Sequence, residues 1–459
     1  MPKHHTDHLI IGTGITGLTL AFYLKEHGKN FILADAQNQV GGAIQTVQKD
    51  GWIFETGPNT ILVTNTIFDD LLTKTGLKKD VIEASTEAKN RFIVKNGKTV
   101  ALPLSPVSFF TSSLFSAKTK LNLLGEPFRS RMTTYDEPLS EFVKRRLGKE
   151  FLDYAINPFV AGVYAGSPDK LSVRYGFPKL YELENKHGSL IKGAFKGPGK
   201  DKDPVDIPRN KAKMISFTEG NAMFPKTLSE CIGKDAIKLN KSVKTIQKLT
   251  NHSYIVFFED GDSISCNHLI LTVPAHILSK IEWLDTDGSH LIETISEITY
   301  PQVNVLHFGF KKDQIKHPLN GFGMLVPEVE NRFILGALFN STLFPQRTPG
   351  NDENLITVFT GGSRHPEIAK MSDNDIESRA LKDLCDILEI KGDPVIKYQR
   401  KWKKAIPQYT IGYENFLSAK SGFESKNAGI YLSGNYFGGI SVGDCIKNGW
   451  KLSNLLTRN

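Results

Sequence analysis

The chain has 459 residues, 40% hydrophobic and 23% charged, enough for two or three domains with sizeable cores at roughly 100 to 200 residues per domain. That composition excludes a disordered or fibrous protein. Lys and Arg number 57 against 49 Asp and Glu, and the resulting +8 is spread along the chain without long basic blocks, so nucleic acid is not an expected partner while an acidic small molecule or an anionic membrane surface is compatible. The four cysteines, Cys231, Cys266, Cys385 and Cys445, form no CxxC pair and no zinc spacing, which predicts free thiols, a reducing compartment and no metal site.

In chain order, DHLII reads as a buried strand, ITGLTLAFYLKEHG as a helix with Leu18, Ala21 and Phe22 on one face and Gly28 as its stop, and NFILAD as a second strand. This is a βαβ unit. The amino-terminal apolar stretch is broken by Gly12, Gly14 and Gly17 and lacks a small-residue cleavage site, so it is not a secretory signal; Leu102–Ala117, with Pro103 and Pro106, is too short to span a bilayer. A cytoplasmic protein without a spanning helix is expected. From Leu102 to about Lys213 the pattern turns helical, ending in GAFKGPGKDKDPVDIPRNKAK, which reads as a long exposed loop. Strand-like runs return between Ser216 and Val273, with Glu259-Asp260-Gly261-Asp262 as a hairpin turn; residues 300 to 400 mix strands with a polar helix near 373–389; the end is a strand, a glycine-rich turn and a helix.

The first motif with chemistry is Gly12-Thr13-Gly14-Ile15-Thr16-Gly17, placed after a strand and opening a helix, with Asp35 ending the next strand. This is the dinucleotide fingerprint. Its first glycine serves the tight turn, the second lets the pyrophosphate approach, the third lets helix and strand pack, and the helix start supplies N–H donors. Asp35 would accept from the adenosine ribose hydroxyls, and the absence of a following arginine disfavours a 2'-phosphate. Gly41 and Gly42 follow, then GWIFETGPNT; taken alone, Gly41, Gly42 and Gly57 could equally be plain turn residues.

These segments resemble the extended flavin pattern of the amine oxidase superfamily, except that Ala43 stands where members of that type often carry arginine after the glycine pair, which argues against an ordinary amine oxidase. VGGAIQTV, ETGPNTIL, AKNRFIV, PFVAGVYAGSPDKLSVRYGFPKLYELENKHGSLI, PLNGFGMLVP, FTGGSR, AIPQYTIGY and LSGNYFGGISVGDCIKNG together are similar to the oxygen-dependent protoporphyrinogen oxidase family. That resemblance implies an α/β fold: a Rossmann-like FAD-binding domain (1–88, 214–275 and 400–459), a helical membrane-associating insertion (95–213) and a mixed-sheet substrate domain (89–94 and 276–399). It places FAD contacts on Gly12 to Gly17, Asp35, Ala36, Gly42, Ala43, Gly57, Pro58, Asn59, Thr60, Val243, Trp402, Asn435, Ile440, Ser441 and Val442; core packing is the rival reading for Val243 and Trp402. GGISVGD also puts N–H groups at a helix start, where they can stabilise negative charge on a reduced flavin.

Arg91 matches the family arginine that receives a substrate propionate, a task suited to a planar guanidinium. Leu325, Leu338 and Phe359 correspond to apolar macrocycle contacts, with core packing as the rival for the leucines, and Gly162 lies in the backbone contact Ala161-Gly162-Val163. Phe110, Leu114, Leu121, Leu124 and Phe128, with Lys118, Lys120, Arg129 and Arg131 among and after them, read as an apolar helical stripe with basic flanks; a core-facing helix fits the pattern, and the resemblance favours peripheral contact with the inner face of the cell membrane.

The implied reaction removes six electrons from protoporphyrinogen IX in haem biosynthesis, in three rounds at one FAD, with dioxygen as acceptor and no catalytic acid, base or nucleophile required of the protein. The alternatives are a coproporphyrinogen III oxidase, another FAD amine oxidase or desaturase, and a flavin-bearing membrane-surface sensor or scaffold without turnover. The apolar segments GFGMLVP and ILGALF favour vinyl groups over further carboxylates; Arg131, Arg174 and Arg347 are cations the sequence does not locate. Oligomeric state is not set by the sequence.

Overall fold

The computed structural model describes residues 4–131, 134–196, 203–208, 211–250 and 252–458. β1 (His4–Ile11), α1 (Ile15–Glu26) and β2 (Phe31–Ala34) form the expected βαβ unit, with β1 and β2 parallel. Ile237–Lys238 extends the sheet beside β2, and Ser263–Leu271 lies parallel to β1 on the other side. Ser263–Leu271 also takes Ile430–Leu432 in parallel and Tyr254–Phe258 antiparallel, the latter across the predicted hairpin turn; Val243–Lys248 and Glu282–Leu284 complete the sheet. β1 is buried along its apolar end, as befits a parallel strand covered on both faces.

α1 departs from expectation. Its residues from Ile15 to Leu24 are buried all round, not on one face. A helix apolar on every side belongs inside, and the carboxyl-terminal helix covers its outer flank so closely that a Cβ on Gly449 would stand 2.5 Å from the Thr16 carbonyl oxygen.

A second sheet is built from β3 (Asn90–Lys95), β4 (Lys98–Ala101), β5 (Val303–Lys311), β6 (Gly321–Leu325), β7 (Ile334–Phe339), β8 (Glu353–Gly361) and β9 (Ile396–Trp402), in the spatial order β9-β5-β8-β7-β6-β3-β4. Only β6 and β3 run parallel. Phe92, Met324, Ala337, Val358 and Leu306 form one face of this sheet, packed in a core with Ile376, Ala380 and Leu384 of the amphipathic helix Asp373–Leu388. Since alternate strand residues point to opposite faces, the ladder pairs Arg91 with Gly323, Gly323 with Leu338, Leu325 with Gly336, Gly336 with Phe359, Phe359 with Val305 and Val303 with Trp402 on the other face.

The helical region between the sheets is made of short elements. α2 (Pro106–Thr111) and α3 (Ala117–Leu124) are separate helices, and the single stripe read across them is corrected: Leu114, in the link between them, is fully buried with Ile93 and Phe115, while Phe110, Leu121, Leu124 and Phe128 are exposed. α4 (Asn157–Tyr164) reaches over the open face of the second sheet. Arg146, without exposure, pairs with buried Glu126 at 3.3 Å and with Glu184 and anchors these helices internally.

The domain limits also shift. Glu282–Leu284 belongs to the first sheet, and Ile292, Ile295 and Tyr300 to its core, so that unit runs to about residue 300; Lys98–Ala101, placed in the helical insertion by the sequence reading, belongs to the second sheet with β9. The reading of one long exposed loop is corrected as well: Leu190–Lys196 is helical, and in 203–208 Asp203 pairs with Lys447 and Lys451 and Asp206 with Lys447 of α5 (Val442–Thr457, numbered without the helix at 373–388); residues 197–202 and 209–210 lie outside the described residues. Among the described residues no helix is long and apolar enough to cross a membrane.

Candidate active site

The three fingerprint glycines each meet a different geometric demand. Gly12 has φ +114°, open to glycine and strained for other residues, and its Cβ would collide with the Thr272 hydroxyl at 2.6 Å. A Cβ on Gly17 would lie 2.0 Å from the Gly12 carbonyl oxygen, so helix and strand pack only because both are bare. A Cβ added at Gly14 would meet nothing within 4 Å, so the space on that side stays open. α1 begins there with no side-chain cap and no acidic residue in its first turn, leaving its N–H donors and dipole open to an anion. This cradle fits the pyrophosphate of FAD.

Asp35 stands beside it with an additional task. Its Oδ2 accepts from the Thr13 backbone N–H at 2.6 Å and hydroxyl at 2.7 Å, and Oδ1 accepts from the Gln37 N–H at 2.8 Å. A carboxylate has about four acceptor positions, so room remains for a ribose hydroxyl while the rest hold the loop. Ala36 is exposed next to it, and the Lys241 N–H bonds the Asp35 carbonyl at 2.7 Å, bringing the start of the Val243 strand to the same end. Val243 itself is half-buried against the first core, so its packing role is real.

Gly42, φ +58°, approaches Gly14 so that its Cβ would be 3.1 Å from the Gly14 Cα, and a Cβ on Gly57 would overlap the Ala43 carbonyl oxygen at 1.8 Å. The segment Gly57, Pro58, Asn59 and Thr60 is thereby pressed onto the cradle. It is held from three sides: the Asn221 side chain donates to the Pro58 carbonyl at 2.7 Å, Asn340 to Asn59 at 2.9 Å, and the Trp402 indole N–H to the Thr56 carbonyl at 2.6 Å. Beneath it Glu55 and Arg347, both inaccessible, pair at 2.8 Å, and burial pushes the Glu55 carboxyl up against the pull of that guanidinium. Sequence reasoning missed this pair, because a buried Glu and a surface Glu look alike in sequence.

At the far end, Ser441 caps α5 by accepting from the Asp444 N–H at 3.1 Å, and Val442 opens the helix. Asp444 answers with a hydrogen bond from the Ser441 N–H at 3.2 Å, so a carboxylate occupies part of the helix start expected to face the flavin. The Asn65 amide holds the Gly443 carbonyl at 2.8 Å, tying this start to the chain just after Thr60. Asn435 precedes it, and Ile440 packs on the first core.

The residues expected to meet a substrate gather on the open face of the second sheet. Leu325, Leu338 and Phe359 are half-buried there, Phe359 in one apolar cluster with Val303, Val305 and Trp402. Gly162 of α4 sits against Leu325, whose Cδ2 would be 2.3 Å from an added Cβ. Arg91 lies exposed toward the edge, 5.4 Å from the centre of the Phe322 ring. The other cations of the face are engaged: Lys95 with the Leu114 carbonyl and Glu150, Arg400 over the Trp402 indole. Arg174 is held over Tyr135, Arg131 lies against Gly188, and Arg347 is sealed with Glu55. Among the described residues no His, Cys, Asp and Glu group could hold a metal ion.

An anion cradle, a ribose acceptor and an apolar face joined by Trp402 define a flavin-dependent oxidoreductase. The profile of the flavin containing amine oxidoreductases matches residues 15–456, and the chain belongs to this family, in the branch of the protoporphyrinogen oxidases. It is 32% identical to protoporphyrinogen oxidase 2 of Arabidopsis thaliana over 97% of this chain and 93% of that one. It is 29% identical to coproporphyrinogen III oxidase of Bacillus subtilis (strain 168), over 96% of each. A crystal structure of a provisional protoporphyrinogen oxidase from Exiguobacterium sp. 255-15 superposes with a TM-score of 0.82 over 100% of this chain and 99% of that one, at 21% identity, and shows the same fold. The cofactor is FAD, which when bound supplies a two-electron acceptor; the cradle and loop residues above would hold it, and the apolar face would orient a substrate against it.

Proposed function

We propose that the enzyme oxidises protoporphyrinogen IX to protoporphyrin IX in haem biosynthesis, with dioxygen as acceptor, as a cytoplasmic protein in peripheral contact with a membrane. The observation that carries the substrate reading is the sheet face of Leu325, Leu338 and Phe359, apolar between exposed Arg91 at one side and Arg400, drawn over the Trp402 indole, at the other. Such a wall takes vinyl groups readily, whereas each added carboxylate would need a partner to offset its desolvation, and Arg347 and Arg174 are committed elsewhere. For the membrane, Leu104, Val107, Phe110, Leu121, Leu124, Phe128 and Phe195 are exposed among lysines and arginines; large exposed apolar side chains of this density suit an interface.

Anaerobic mixing with protoporphyrinogen should bleach the flavin, and air should restore it with peroxide formed. A flavin that stays oxidised with every porphyrinogen would leave a sensor or scaffold. Side-by-side kcat/KM values decide the substrate: a clear advantage for coproporphyrinogen refutes the preference for protoporphyrinogen.

A further inference from the structure

The segment after β9, residues 406–411, reaches two parts of the site at once. Gln408, buried, donates from Nε2 to the carbonyl of Tyr164, the last residue of α4, at 2.8 Å, and a Cβ on Gly166 would meet its Oε1 at 2.4 Å. The next side chain serves the cofactor end: the buried Tyr409 hydroxyl donates to the Asn435 carbonyl at 2.9 Å and accepts from the Gly439 N–H at 2.9 Å. Those two groups bracket the turn that leads into α5, where Gly438 and Gly439 have φ of +84° and +120°. A turn of glycines has little preference of its own, so its shape is set from outside, by Tyr409 and by the Tyr413 hydroxyl bonding the neighbouring Tyr436 carbonyl.

The backbone of the segment belongs to the helical region as well. The Ser172 N–H bonds the Tyr409 carbonyl at 2.9 Å, and the Ile411 N–H bonds Lys170 at 3.1 Å. The Tyr409 ring packs on Tyr413 at 4.6 Å between centroids, and Tyr413 on Tyr175 of the helical region at 5.5 Å.

We propose that Gln408 and Tyr409 are positioning residues that hold the substrate-facing helix α4 in register with the cofactor turn Asn435–Val442, so that FAD binding and ordering of the helical region are one coupled equilibrium. Neither side chain is assigned contact with a reacting atom; each acts through the backbone it holds. Coupling of this kind is reciprocal: FAD bound at the turn must steady residues 160–176, and loosening that segment must weaken FAD. The proposal rests on FAD occupying the cradle.

Tyr409→Phe keeps the ring and removes one hydroxyl, leaving the half-buried Asn435 carbonyl and Gly439 N–H without that partner. In FAD titrations of the full-length apoprotein it should weaken binding about tenfold. Hydrogen exchange of residues 160–176, slowed by FAD in the wild type, should become insensitive to FAD. Gln408→Met, similar in length but without the donor, should lose that protection and, by the same reciprocity, weaken FAD binding about threefold or more. A merely structural tyrosine would lower the Tm of apo and FAD-bound protein equally, with affinity and protection unchanged; that result overturns the proposal, as does wild-type exchange that ignores bound FAD. Should Tyr409→Phe not fold, Gln408→Met and the wild-type exchange decide alone. A folded wild type that takes up no FAD at all instead defeats the cofactor assignment itself.

Discussion

Two arginines of this chain sit in opposite surroundings and should answer differently to removal. Arg91 is exposed on the substrate face with its guanidinium over Phe322. A charged hydrogen bond in a site partly open to water is worth about 1 kcal/mol, so Arg91→Ala should weaken porphyrinogen binding roughly fivefold and leave the flavin spectrum as it was. Arg347 has no exposure and pairs with Glu55 under the cofactor loop. Its loss strands a buried carboxylate, and Arg347→Ala should cost about 3 to 5 kcal/mol in denaturant unfolding. His307 gives the pH dependence: fully buried, with Nδ1 on the Thr357 hydroxyl at 2.8 Å, it is pushed by burial from its usual 6.5 to about 3. Between those values the unfolded chain binds a proton that the folded one does not, so stability is full above about pH 6.5 and falls as the pH drops toward 3. His268, His276 and His317 are shifted the same way. The Tm of His307→Asn should therefore fall less steeply with acid than that of the wild type over this window, though not become flat.

At the level of elements, the helical region separates an exposed apolar surface from a core residue, two things that the sequence pattern merges. Val107→Glu with Leu124→Glu should release the protein from anionic vesicles in a sedimentation assay with little change in Tm, since both side chains are exposed. Leu114→Glu should instead unfold it, because a charge would enter a closed cluster. The misreading has a local cause. Residues 110 to 128 share one stripe only if one helix spans them, whereas Ser105 and Ser116 each cap a new one, Ser116 accepting from the Thr119 N–H at 3.3 Å. Both serines were visible in the sequence. The glycine fingerprint, by contrast, is legible, because the positive φ of Gly12 and the approach of Gly17 to the Gly12 carbonyl arise within a few residues of chain, although the Thr272 hydroxyl that also crowds both does not. Thr13 bracing Asp35 and Tyr409 bracing Gly439 were not, since a hydroxyl's partner lies wherever the fold brings it.

Across the whole molecule, one short loop gathers bonds from the second sheet to the first unit. Trp402, Arg347 and Asn340 from the second sheet and its connections all bond within Glu55–Asn59. The two units should therefore melt together, and FAD at one hundred times its Kd should raise the unfolding free energy by about 2.7 kcal/mol; calorimetry showing two transitions, only one responsive to FAD, would count against this. Long-range pairings hide the place of Glu282–Leu284, which joins Thr245–Gln247, from a local pattern, whereas Lys98–Ala101 closes a local hairpin on Asn90–Lys95 through Asn96-Gly97. They also bear on how the chain is made. β1 emerges first, yet its neighbour Ser263–Leu271 follows about 250 residues later, and the strand Ile430–Leu432 that closes that neighbour comes about 420 residues after β1. At about 5 to 20 residues per second the second interval is roughly 20 to 80 s. Throughout it the nascent chain carries an apolar strand edge with no lasting partner, the kind of surface on which chaperones act. Ribosomes that stall late on this message would thus release a nearly full-length chain unable to finish its cofactor sheet.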